Sequence, residues 1–172
     1  YGQLTLYSNG SYSYNANNAE ALDAGDIVTD SFTYTASDGT TDNNATITIT
    51  VKGVNDAPVG TADTGSVNED KQLTVSAGSG VLANDTDVDA SSSLTVSAVQ
   101  GQSSNVDSNV TGTYGTLNLD ADGSYTYIAN QSGADGLAAG VSATDTFAYT
   151  VSDGTATSTV NLVITVTGVG PE

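Results

Sequence analysis

Apolar residues along this chain recur with a period of two. In "GTLNLDADGSYTYIA", Leu117 and Leu119 alternate with polar residues, and Tyr125 and Tyr127 do the same after Asp122-Gly123. Successive strand side chains point to opposite faces, so two such runs around an Asp-Gly turn predict a hairpin with one buried face. Leu4, Leu6, Asn9-Gly10, Tyr12 and Tyr14 repeat that pattern. Phe147, Tyr149 and Val151 alternate, as do Leu162, Ile164 and Val166, and Leu73 with Val75 and Leu94 with Val96 supply two more strands. About seven short strands separated by turns predict a β-sandwich. The segments "EALDAG" and "GLAAG" are predicted to form single helical turns at most.

The chain also aligns with itself. "YGQLTLYSNGSYSYNAN" from Tyr1 matches "YGTLNLDADGSYTYIAN" from Tyr114. "TDSFTYTASDGT" from Thr29 matches "TDTFAYTVSDGT" from Thr144, and "ATITITVKGV" from Ala45 matches "VNLVITVTGV" from Val160. The period, about 113 to 115 residues, is that of a whole domain rather than of a solenoid unit. The expected organisation is therefore the second half of a repeat over residues 1–53, a linker over 54–59, a complete repeat over 60–169 and a tail over 170–172. Pro58 restricts the linker "GVNDAPVG" and biases Ala57 toward extended geometry, so the linker is short and semi-rigid.

Composition narrows the chemistry. The 172 residues carry 20 acids against two lysines, for a net charge of −18, with no Cys and no His. Thiolate and imidazole metal sites, a Cys nucleophile and a Ser–His pair are thereby excluded. Hard oxygen remains in quantity, which suits calcium or magnesium. Without cysteine, no disulfide staples the fold. So acidic a surface repels nucleic acid and anionic lipid, and no apolar run reaches membrane-spanning length.

The acids are not evenly spread. In "VLANDTDVDASSSLTV", Asp85, Asp87 and Asp89 stand at alternate positions. Two carboxylates about 5 Å apart repel by about 3 kcal/mol at an effective dielectric near 20, so either they splay into water or a cation sits among them. With strands running from pole to pole, the loop carrying these acids, the "SDGT" turn with Asp153, and Asn55 and Asp56 of the linker are expected at one pole. Together with a few carbonyls, these six side chains suffice for one calcium ion, which takes six to eight oxygens. Taken singly, "SDG" is an ordinary turn and the acidic run a solvated loop. The run is no EF-hand, because Ala90 stands where the loop needs Gly and Val96 where it needs Glu. Glu69 and Asp70 are further acids, beside Lys71.

"GVNDAPV", "NED", "VLANDTDVD", "GTLNLDADGSYTY", "TDTFAYTVSDGT" and "VNLVITVTGV" together resemble the VCBS and cadherin-like tandem repeats of very large bacterial surface adhesins. The resemblance covers essentially the whole chain. It implies an all-β fold of tandem immunoglobulin- or cadherin-like sandwiches joined by a short linker, binding Ca2+ and exported by type I secretion to the cell surface. It further implies calcium ligation by Asn55 and Asp56, by Asp85 and Asp87, and by Asp153, with Glu69 at the opposite, exit pole. Two features depart from the pattern: the exit reads "GVGPE" instead of "GVNDAP", and the first unit lacks a first-strand glutamate.

The expected function is a calcium-stiffened structural or adhesive repeat acting in attachment, biofilm or matrix assembly. The alternative is a calcium-dependent carbohydrate- or protein-binding module. No acid–base pair in a cleft marks an enzyme. Expected partners are calcium and neighbouring repeats or subunits: residues 1–59 lack the early strands of 60–110 and an open half-sandwich exposes its edges, so the first unit is expected to be completed either by preceding polypeptide or, head to tail, by strands of a neighbouring subunit.

Overall fold

The computed structural model describes residues 1–170, so the part of the expected tail at 171–172 lies outside the described residues. The chain divides into two compact units. One comprises Tyr1–Asp56 together with Val88–Ser92, and the other comprises Ala57–Asp87 and the chain from Ser93 onward. The division falls inside the expected linker, and a short piece of the acidic loop goes with the first unit.

The first unit holds two antiparallel hairpins, β1 (Gln3–Leu6) with β2 (Tyr12–Asn15) and β3 (Ile27–Ser37) with β4 (Asp42–Lys52). Leu4 lies opposite Tyr14 and Leu6 opposite Tyr12, as period-two alternation requires. The face these residues form is open: Leu6 is 39% exposed and Tyr12 53%. Val51 is the only buried hydrophobic residue among the described residues of this unit.

The second unit has two four-stranded sheets. One runs in the order β6 (Gln72–Val75), β10 (Tyr125–Ile128), β9 (Thr116–Leu119), β8 (Asn109–Thr111). The other runs β5 (Asp63–Asn68), β12 (Thr157–Thr167), β11 (Ser142–Ser152), β7 (Thr95–Val99). All pairs are antiparallel except β5 with β12. The alternating residues of both sheets meet in one core, where Leu117, Leu119, Tyr127, Tyr149, Leu162 and Ile164 are completely buried. Tyr127 meets Phe147 edge-on, with ring centroids 6.2 Å apart.

The predicted strands at Leu117–Leu119, Tyr125–Tyr127, Phe147–Val151 and Leu162–Val166 are present, and Leu73–Val75 lies in β6. The strand expected from Leu94 starts one residue later, at Thr95. β5 and β8 escape the pattern because both are sheet edges with little to bury: "DTGSVN" has one large apolar residue, and β8 is three residues long. The one α-helical turn among the described residues, α1 (Ser132–Asp135), precedes "GLAAG" rather than occupying it, and "EALDAG" forms no helix.

Candidate metal centre

At the end of the second unit where β5 starts, Tyr149 brings its hydroxyl from the middle of β11 into a ring of oxygens. It donates to Asp63 Oδ2 at 2.6 Å, and the Val81 carbonyl, the Thr61 carbonyl and Asp85 Oδ2 lie at 3.1, 3.3 and 3.4 Å. One phenol has one proton, so the other oxygens need a further donor or a positive charge. Asp85 is held inward by the Thr61 amide, which donates to Oδ1 at 2.7 Å. The loop itself is fixed by a pair of backbone bonds between Val59 and Thr86 and by the Val81 amide on the Gly123 carbonyl. Burial pushes both carboxyls above the ordinary aspartate range, and the neighbouring Asp85 charge pushes Asp63 further. The Tyr149 hydroxyl is likewise raised, first by burial and then by Asp63.

Two glycines make this loop possible. A Cβ at Gly80 would lie 2.1 Å from the Gly123 carbonyl oxygen, and Gly123 itself sits at φ +85, in the left-handed region.

The opposite end of the same unit carries Glu69, immediately after β5. It is 4% exposed. Its Oε1 accepts the amides of Val169 and Gly170 at 2.8 and 3.0 Å, and its Oε2 is buried and accepts no hydrogen bond. A buried carboxylate oxygen without a donor is costly, and a cation is the chemistry that relieves it.

Asp153 sits in the turn between β11 and β12, where Oδ1 accepts the amides of Thr155 and Ala156 at 2.6 and 2.7 Å. That is the ordinary turn role of an aspartate. Asp87 is half-buried, with Oδ2 withdrawn from solvent.

In the first unit, Asp89 is 7% exposed and its Oδ2 accepts the Asp56 amide at 2.9 Å. Ser91 donates its amide to Asp23 Oδ1 at 3.1 Å and its hydroxyl to Asp23 Oδ2. These bonds to Ser91 lower the Asp23 pKa below the usual carboxylate range. Asn55 donates its side-chain amide to the Asp56 carbonyl at 2.6 Å.

Of the six residues expected to converge, Asn55, Asp56 and Asp89 belong to the first unit and Asp85, Asp87 and Asp153 to the second. Among the described residues no group of three or more His, Cys, Asp or Glu is gathered as a ready cage. Within the units, Asp85 accepts from Thr61 and Tyr149, Asp153 accepts amides of its own turn, and Asp89 accepts the Asp56 amide. Asp56 and Asp89 do meet. Asp63 and Asp23 were missed because each stands alone in sequence, outside any acidic run.

Two four-stranded sheets packed over one core, with a parallel first-to-last strand pair, define a β-sandwich module of the immunoglobulin-like kind. The model of the bacterial cadherin-like domain family matches residues 55–168, and the chain belongs to that family. The family is one of adhesion-type, extracellular modules. This match stands for the general cadherin-like class and not for a VCBS repeat specifically.

Among solved structures, mouse clustered PcdhgC3 EC1-3 is similar at 17% identity with a TM-score of 0.48, covering 98% of this chain and 53% of that one. Protocadherin Gamma B7 extracellular cadherin domains 1-4 are similar at 17% identity and TM-score 0.48, covering 98% of this chain and 39% of that one. An endo-fucoidan hydrolase from glycoside hydrolase family 107 gives 20% identity and TM-score 0.35, covering 97% of this chain and 22% of that one. This chain thus spans about half or less of each of these structures. No curated protein matches. No helix among the described residues is long and apolar enough to cross a membrane.

Proposed function

We propose that the chain is a calcium-stiffened structural or adhesive repeat of a bacterial surface adhesin or filament, acting in attachment, biofilm or matrix assembly. In this reading the sandwiches are strung in tandem on short linkers, in a large exported adhesin of the type that carries VCBS repeats. The role is mechanical and non-enzymatic. Membership of the cadherin-like family supports it, and the observation that carries it is the bare, buried Oε2 of Glu69 beside Val169 and Gly170.

The donor set fits a hard divalent cation: every candidate ligand is a carboxylate, an amide carbonyl or a backbone carbonyl, and no soft ligand is present in the sequence. Calcium, when bound, supplies positive charge and high oxygen coordination. The residues do the rest. Glu69 grips the chain leaving β12 through Oε1 and presents Oε2 to the ion. Asp63 and Asp85 offer a second oxygen-rich end, and Asp56, Asp87, Asp89, Asn55 and Asp153 add oxygens at the ends of their segments. With the ion absent, like charges at the module ends repel and the ends loosen.

Thermal unfolding and small-angle scattering in calcium and in chelator test this. At free calcium about 100 times Kd, linkage predicts about 2.7 kcal/mol of added stability. Glu69→Gln should remove much of that gain without destabilising the chelated protein, since the amide keeps an acceptor for the Val169 and Gly170 amides. Identical melting and scattering in the two conditions would refute the calcium role.

A further inference from the structure

We infer that the open face of the first unit is a socket for the early half of a repeat of this same type, seated through a segment of the Gly80–Asp85 kind. The face forms a groove of about 660 Å³ whose walls include Leu6, Ser8, Gly10, Tyr12, Tyr34 and Ile47. By the internal repeat, these residues correspond to Leu119, Ala121, Gly123, Tyr125, Tyr149 and Leu162. The hairpins share one register: Leu6 pairs with Tyr12 as Leu119 pairs with Tyr125, and Phe32 with Ile47 as Phe147 with Leu162.

In the second unit the same walls are covered. The Val81 amide donates to the Gly123 carbonyl at 2.9 Å and the Val96 amide to the Ala121 carbonyl at 2.9 Å. Leu82 packs so close to Gly123 that a Cβ there would lie 2.8 Å from its Cγ, and Tyr149 reaches the Val81 carbonyl at 3.1 Å. Val81 is completely buried and Val96 nearly so. In the first unit, by contrast, a Cβ at Gly10 would meet nothing within 4 Å, although its φ of +86 matches the +85 of Gly123.

The groove is therefore the imprint of a known plug. The free edges agree with it. In the second unit β5 pairs with β12 and β7 with β11, leaving the corresponding edges of β4 and β3 to take strands of those two types. The predicted contacts are specific: the Val81 counterpart donates its amide to the Gly10 carbonyl, the Val96 counterpart to the Ser8 carbonyl, and Tyr34 donates to the Val81 counterpart's carbonyl or an adjacent carboxylate.

The test duplicates residues 57–113 directly ahead of Tyr1 in the full chain, and compares it with the same graft bearing Val81→Asp in the duplicated copy only. Hydrogen exchange of the β1–β4 amides and the solvent accessibility of Tyr12 and Tyr34 are read in each. The intact graft should raise protection in β3 and β4 at least about 100-fold over the ungrafted chain and bury both tyrosines, and the Val81→Asp graft should do neither. Three results would overturn the inference: equal protection in the ungrafted monomer, equal protection with the Val81→Asp graft, or an intact graft that leaves the tyrosines exposed. Concentration-dependent self-association that protects β1–β4 without any graft would assign the groove to a second copy of the chain, and would overturn it also.

Discussion

The hairpin β1–β2 and the hairpin β9–β10 are nearly the same sequence in two environments. Both turn on a glycine at positive φ, both set leucine opposite tyrosine, and both place their second tyrosine against a strand aspartate. Tyr14 donates to Asp30 at 2.5 Å and Tyr127 to Asp145 at 2.6 Å, and each tyrosine meets a phenylalanine edge-on with centroids 6.2 Å apart. Yet Leu119 is fully buried while Leu6 is 39% exposed. The local code of alternation and turn is thus sufficient for hairpin geometry. It does not decide burial, which depends on whether β5 to β8 or their counterparts cover the face.

The comparison can be broken first at the aspartate. Asp145 accepts the amides of Thr113, Tyr114 and Gly115 at 2.8 to 3.0 Å as well as the Tyr127 hydroxyl, and it is 5% exposed. Asp145→Ala orphans four donors, each costing about 1–3 kcal/mol when buried, so a loss of about 4 kcal/mol or more is expected. Asp30 accepts the Gly2 amide and the Tyr14 hydroxyl and pairs with the Tyr1 α-ammonium at 3.2 Å, and it is kept below the usual carboxylate range first by the Tyr14 bond. Asp30→Ala should cost markedly less, because the bonds it breaks are partly solvent-accessible. Denaturant unfolding with hydrogen exchange resolved by unit measures both, and equal losses would mean that the two carboxylates do the same job irrespective of cover.

The leucines sharpen the same contrast with a smaller effect. Leu119→Ala removes a fully buried side chain and should cost about 2–5 kcal/mol. Leu6→Ala should cost clearly less than Leu119→Ala until the groove is filled, because Leu6 keeps 39% of its surface in water while Leu119 keeps none. A cost for Leu6 approaching that for Leu119 in the ungrafted chain would show a first unit already closed by other means.

What the sequence made legible follows from the same physics. Period-two alternation marks strands that bury one face, so β9 to β12 and their counterparts stood out. β5 and β8 are edges that bury little, and nothing in "DTGSVN" announces a parallel partner ninety-odd residues away in β12. Glu69 was placed at the exit by family likeness, and the structure puts it against Val169 and Gly170. The ring around Tyr149 was invisible for a different reason. Its oxygens come from Thr61, Asp63, Val81 and Asp85, and only the fold reveals that a core tyrosine ends among them.

That ring supports the finest test of what cover does. Asp63 and Asp85 are half-buried, and burial raises both above the ordinary value of 3.8. A group whose folded pKa is raised binds its proton more tightly in the folded state. Its contribution to stability is fully present below 3.8 and is lost as pH rises through the elevated folded values. At pH 7 in chelator the ionised pair should therefore work against folding of the second unit. Asp63→Asn removes one charge and keeps a carbonyl acceptor for the Tyr149 hydroxyl. The variant should melt slightly higher than the parent at pH 7 in chelator, by a small amount because both carboxyls are partly exposed and solvent screens their charge. The two melting curves should converge as pH falls below 3.8, because the parent is then protonated as well. A parent more stable than the variant at pH 7 without divalent ions would mean that the charged bond from Tyr149 outweighs the cost of burial, and the ring would then be a self-sufficient structural knot with no need of a cation.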